Sequence, residues 1–221
     1  MCHQPSIEID IKNGQRRIAY DELFLLQLGV MMKRYQRRDT MTSPSLKWSK
    51  AIRERIEARI PFELTNAQRR VIKEIATDVT SSTPMTRLLQ GDVGSGKTIV
   101  ALHAMLMAVT SSQQAALMAP TELLAEQHYQ TICKLLEGSK VNIGLLSSSL
   151  TSSDRTKLVK KIGNGEIHIV IGTHALLTGD VIFENIAIAI TDEQHRFGVH
   201  QRERFRNKID DPYTIPHTLV M

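Results

Sequence analysis

Gly91-Asp92-Val93-Gly94-Ser95-Gly96-Lys97-Thr98 fits the pattern G-x-x-x-x-G-K-[ST] in full. Glycines are needed in such a loop because the backbone must wrap tightly around phosphate oxygens. Its N–H groups and the start of the following helix then face the anion. Lys97 supplies a cation for the β- and γ-phosphates, and the Thr98 hydroxyl a ligand for Mg²⁺. From average composition, a chance match in a chain this long has a probability on the order of one percent. The loop therefore predicts a nucleotide triphosphate site, with Gly91, Asp92, Val93, Gly94, Ser95, Gly96, Lys97 and Thr98 around the phosphates.

The flanks set the fold class. Met85–Gln90 reads as a strand entering the loop, and a helix is expected from the loop to about Thr110. Further along, short apolar runs alternate with helical segments. Strands are expected at Ala115–Ala119, Val141–Leu146, Ile167–Ile171 and Ile186–Thr191, and helices at Thr121–Leu136, Ser152–Ile162 and Val199–Asn207. Upstream, Thr65 can cap a helix running to about Val79. Short apolar strands separated by helices predict an α/β domain with a parallel sheet covered on both faces.

Asp192-Glu193-Gln194-His195 follows the apolar strand Ile186–Thr191. An acidic pair at the carboxyl end of a buried strand is where an ATPase of this kind keeps its magnesium and water-positioning groups. Asp192 is then the magnesium ligand beside Thr98, and Glu193 the group that polarises the attacking water.

Charge divides the chain differently. Residues 1–60 hold twelve Lys/Arg against seven Asp/Glu, a surplus of five, and residues 61–221 hold sixteen of each. The whole excess thus precedes the phosphate loop. We expect a basic helical appendage over 1–60 and the nucleotide-binding domain over 61–221. In the appendage, residues 1–15 read as the tail end of something upstream or as a loose arm, and Arg16–Arg38 as a helix with Phe24, Leu28, Met31 and Tyr35 on one stripe. Residues 39–45 read as a linker, and Leu46–Ile60 as a second helix. Lys33, Arg34, Arg37 and Arg38 suit the negative end of the helix dipole. They equally suit contact with nucleic acid. No apolar run approaches the ~18 residues that span a membrane. Cys2 and Cys133 lack metal-site spacing, which leads us to expect reduced thiols in a cytoplasmic protein.

These motifs together resemble the RecG family of DNA helicases, in the DExH group of superfamily 2. The likeness is carried by Gly91–Thr98 with Arg87-Leu88-Leu89-Gln90 before it, by Ala119–His128, by Ile171–Leu176, and by Asp192–His195 continued by Arg196-Phe197-Gly198-Val199. Pro61–Gln68 looks like that family's Q-motif, and the basic helix like the linker between its wedge domain and its motor. The resemblance implies a RecA-like fold, ATP and Mg²⁺ as cofactors, and branched or single-stranded DNA as partner. It implies that Gln68 reads the adenine edge, that Gln194 and His195 couple motif II to the rest of the motor, and that Pro120, Thr121, Gly172, Thr173 and His174 face DNA. Ser147-Ser148-Ser149 departs from the family's Thr-Gly-Ser turn, and Ser148 places a Cβ where glycine would allow positive φ.

The sequence closes at His217–Met221, which resembles the strand leading to motif III. We therefore expect a fragment that lacks motif III, the second motor domain with its arginine fingers, and the wedge domain. Two alternatives stand beside the DNA motor: a nucleotide-binding module without turnover, and the first motor lobe of the related transcription-repair coupling factor. An unrelated small-molecule kinase fits the motif II text less well.

Overall fold

The computed structural model describes residues 8–192 and 213–221. They divide into two compact units, residues 1–40 and 41–221. The expected helix Val199–Asn207 lies outside the described residues.

In the first unit, helix α1 runs Glu8–Thr40. It starts well before Arg16, and Phe24, Leu28, Met31 and Tyr35 are exposed. The rings of Tyr20 and Phe24 stack with centroids 6.0 Å apart, as residues four apart on a helix can.

The second unit is built on a six-stranded parallel sheet, β1 (Thr86–Leu88), β2 (Gln114–Met118), β3 (Ile143–Leu146), β4 (Ile169–Gly172), β5 (Ile186–Thr191) and β6 (His217–Val220), in the order β1-β6-β5-β2-β4-β3. Every residue of β2, β4 and β5 is buried, as a sheet covered on both faces requires. Side chains alternate between two cores. Ala115, Leu117, Ile169, Ile171, Ile188 and Ile190 join one, while Ala116, Met118, Val170, Ile186 and Ala189 join the other. Ala187 breaks the alternation by sharing a core with Ile188. The β2–β5 register slips there: Gln114 pairs with Ile186 and Ala115 with Ile188, so Ala187 is the extra residue of a bulge.

Helices α2 (Lys50–Glu57), α3 (Asn66–Val79), α4 (Lys97–Thr110) and α5 (Glu122–Leu135) contribute to the first core, and α6 (Ser152–Gly163) to the second. Helix α4 buries ten consecutive residues, Ile99–Ala108. It packs between the sheet on one side and α2 and α3 on the other, which is why it is apolar on every face. Thr65 caps α3 through a complete capping box with Gln68.

The boundary expected at residue 60 falls at 40 instead. Leu46, Ile56 and Ile60 are buried in the same core as α4, with Trp48 and Ile52 packed on it. The stretch before α2 is stitched down by backbone bonds from Ser43 to Ser82 and from Leu46 to Val79. The apolar stripe of this short helix outweighs its basic residues, which stay on its solvent side. The basic surplus is therefore divided between the two units.

Two buried histidines give the domain an acid sensitivity. His217 accepts from the Met85 N–H through Nδ1 at 3.1 Å, and its Nε2 lies 2.9 Å from the Pro44 carbonyl, an arrangement that needs the neutral Nε2–H ring. His103 bonds Ile99 O through Nδ1, and its Nε2 has no partner among the described residues. Burial lowers both from the ordinary 6.5, against weaker raising contributions from the backbone bonds to Pro44 and Ile99 and from the charges of Asp78 and Glu57. A depressed folded pKa means the unfolded chain binds the extra protons. Stability is then full above about pH 6.5 and falls as pH drops below it, by at most about 1.4 kcal/mol per pH unit for each histidine. Urea unfolding at pH 7 and pH 5.5 should show this loss, and His103→Leu should reduce it. An unchanged pH slope in that variant would contradict the assignment.

Candidate nucleotide and DNA site

Because all six strands run parallel, their carboxyl ends share one edge of the sheet. The segments around 91–98, 119–121, 147–149, 172–174 and 192 all emerge there, the edge at which such sheets bind ligands.

The phosphate loop leaves β1 and ends at Gly96, which caps α4 in the left-handed region at φ 82°. Gly94 is also left-handed, at φ 79°. Glycine is needed there for its conformation, and a Cβ on Gly96 would also displace the Gln68 amide. The Lys97 ammonium donates to the carbonyls of Gly91 (2.7 Å) and Asp92 (3.1 Å), which holds it beneath the loop. Thr98 sits in the first turn of α4 and is half-buried. Val93 stands at the fully exposed tip.

Gln68 joins this loop to α3. Its Oε1 accepts from Thr65 N–H at 2.9 Å, and its Nε2 donates to Ser95 O at 3.0 Å. One N–H and one lone pair of the amide are left over from these two bonds. The sequence reading placed Gln68 on the nucleotide; its bond to the phosphate loop was not foreseen.

Asp192 follows β5, with its N–H donating to Met118 O at 2.9 Å. Its Oδ2 lies 2.8 Å from His128 Nε2, a pair whose side chains are only 14% and 12% exposed. An ionised carboxylate only accepts, so the imidazole N–H is the donor. His128 lies in α5, sixty-four residues away in sequence, and no role was read for it. Glu193, Gln194 and His195 lie outside the described residues.

The Thr98 hydroxyl and the Asp192 carboxylate are hard oxygen donors. Mg²⁺ binds through one or two such groups, completing its shell with phosphate oxygens and water.

The DNA-facing candidates gather around Glu122. Pro120 follows β2, and Thr121 caps α5 by accepting from Leu124 N–H at 3.3 Å. Glu122 Oε1 accepts from Ser148 N–H (3.1 Å) and from the Thr173 hydroxyl (3.2 Å), tying three loops together. Its Oε2 is buried without a partner among the described residues. Gly172 ends β4 and His174 opens a 3₁₀ turn, His174–Leu177. Ser148 does not need the conformation that glycine would favour: Ser112 is the only described non-glycine residue with positive φ.

Residues 65–220 match the DEAD/DEAH box helicase family. The chain is 45% identical over 226 residues to the ATP-dependent DNA helicase RecG of Bacillus subtilis, covering 99% of this chain and 33% of the relative. It is 47% identical over 206 residues to RecG of Aquifex aeolicus, covering 93% of this chain and 26% of that one. A solved structure of RecG bound to a three-way DNA junction superposes with a TM-score of 0.85 at 39% identity, covering 98% of this chain and 28% of that chain. The chain thus spans about a third or less of the length of these relatives. The helicase MrfA bound to DNA, at 19% identity and a TM-score of 0.61, shares the fold. With the phosphate loop, the acidic strand end and this match in agreement, the chain belongs to the DEAD/DEAH box helicase family.

Proposed function

We propose that this chain is the ATP-binding lobe of a RecG-type motor that remodels branched DNA in the cytoplasm. The observation that carries the reading is the shared sheet edge. The Gly91–Thr98 loop, Asp192 and the loops tied by Glu122 all open onto it, so nucleotide and DNA can address one rigid domain. Lys97 binds the β- and γ-phosphates, and Gln68 reads adenine with the amide capacity left by its two protein bonds. Thr98 and Asp192 hold the metal, and Glu193 orients the attacking water. The metal, when bound, neutralises charge developing on the phosphates. Thr121 and the first N–H groups of α5, with Gly172, Thr173 and His174, take the DNA backbone. The likeness to RecG supplies the further partners, a second motor domain and a wedge domain.

Calorimetry tests the nucleotide half. The chain should bind Mg-ADP, and Lys97→Ala should weaken binding roughly 10–100-fold, the worth of charge-assisted bonds to phosphate. Anisotropy of a labelled three-way junction tests the other half, with weak binding expected that falls steeply with salt. Unchanged Mg-ADP affinity in Lys97→Ala, or salt-independent junction binding, would overturn the respective half.

A further inference from the structure

Asp192 carries the metal in the proposed site, and the orientation of its carboxylate decides whether an oxygen reaches the ion. The backbone fixes only where the residue starts, through the bond from its N–H to Met118 O. Its side chain is gripped from another element, by His128 at 2.8 Å. His128 lies midway along α5, which packs on β3 and β4 and is itself rigidly placed, with Ala125 and Ile132 fully buried. The imidazole ring is short and planar with two side-chain torsions, so little freedom remains once α5 is docked. The bond to Oδ2 then helps to set the plane of the carboxylate.

We infer that His128 is a positioning residue for the metal-binding carboxylate of Asp192. The inference rests on the functional reading above and deepens it. His128 touches neither nucleotide nor metal, and acts by holding the ligand's plane from outside. Ligating carboxylates are commonly held this way, and losing the outer partner typically costs about 10–100-fold in metal affinity. The same helix begins at Glu122, which ties the loops at Ser148 and Thr173. At ~1.5 Å per residue the two side chains are about 9 Å apart along the axis. One helix therefore carries both the anchor of the DNA-facing loops and the support of the metal ligand.

The experiment uses the 221-residue chain and ADP as probe. Nucleotide affinity is measured in EDTA and across a Mg²⁺ series, and bound Mn²⁺ is followed by electron paramagnetic resonance. His128→Leu should need roughly tenfold more Mg²⁺ to reach half of the metal-dependent gain, with EDTA affinity within about twofold of the parent. His128→Gln, whose amide N–H can take the place of Nε2–H, should recover most of the metal response. If His128→Leu fails to fold, His128→Asn, with an amide too short to reach, should show the same metal defect. A variant with the parent's Mg²⁺ requirement, a parallel loss of affinity in EDTA, or a glutamine no better than leucine would overturn the inference. A parent chain that binds no nucleotide under any condition would defeat the functional reading itself.

Discussion

Phosphate release by this chain alone, with saturating ATP, Mg²⁺ and branched DNA, is expected to run about 10³–10⁵ times slower than by the same sequence joined to a RecG-type second motor domain. That ratio corresponds to roughly 4–7 kcal/mol of barrier. The groups proposed to act are Lys97, Thr98, Asp192 and Glu193. They bind the phosphates and metal and orient water, but the transition state also gathers negative charge on the γ-phosphoryl oxygens. The resemblance to RecG implies that this charge is met by arginines from a second motor domain. Two arginines ahead of the loop are engaged elsewhere: Arg87 pairs with Asp78 and Glu74, and Arg69 with Leu64 O and Glu57. DNA should not restore turnover, because closure of two lobes is what ordinarily joins DNA binding to hydrolysis. A rate near one per second, within the ordinary enzymatic range, and abolished by Glu193→Gln would show a self-sufficient ATPase and overturn this expectation.

Gly172→Ala should lower the melting temperature by about 6–12 °C. Gly172 closes β4 opposite Leu146 of β3. A Cβ there would stand 2.5 Å from the Leu146 carbonyl oxygen and 3.2 Å from Leu176 Cγ. The first obstacle is backbone in a paired strand and cannot swing aside. Overpacking of this kind costs about 1–3 kcal/mol, and a backbone obstacle puts it at the upper end. Each kcal/mol moves the midpoint of a domain this size by about 2–4 °C. Gly179, with open space around its Cβ position, is the control: Gly179→Ala should stay within about 0.5 kcal/mol of the parent. Equal melting of both variants would remove the packing explanation for Gly172.

The legible parts of the sequence were those where local chemistry demands particular residues. The Gly91–Thr98 loop needs tight glycines and a lysine; Thr65 suits a helix cap; and Ile186–Thr191 reads as a buried strand. Residues 41–60 were misplaced with the appendage because Lys47, Lys50, Arg53, Arg55 and Arg59 dominate the composition. The stripe of Trp48, Ile52 and Ile56 on the helix expected from about Leu46 is visible in the sequence, but nothing local says that its partner is α4. Helix α1 was expected only from Arg16 because residues 1–15 are polar and mixed, whereas the helix starts at Glu8 and runs through both Gly14 and Gly29. The bonds of His128 to Asp192 and of Glu122 to Ser148 and Thr173 join residues far apart in sequence, so no periodicity or spacing could announce them.

During synthesis the ribosome releases the phosphate loop long before its support. Strand β1, which leads into that loop, pairs with β6 alone among the described strands, and β6 is residues 217–220. The neighbours β2, β4 and β5 can zip together as soon as residue 191 clears the exit tunnel. For the interval until Val220 follows, a nascent chain holds an assembled half-sheet with Asp192 at its end and a nucleotide loop held through Gln68 and α4 but not yet through β1. Cellular ATP stabilises only a chain whose binding site has formed. The nucleotide then has less of a formed site to stabilise at the early stage than at the late one. It becomes a late clamp, engaged when the last strand slides between two that were made far apart in time.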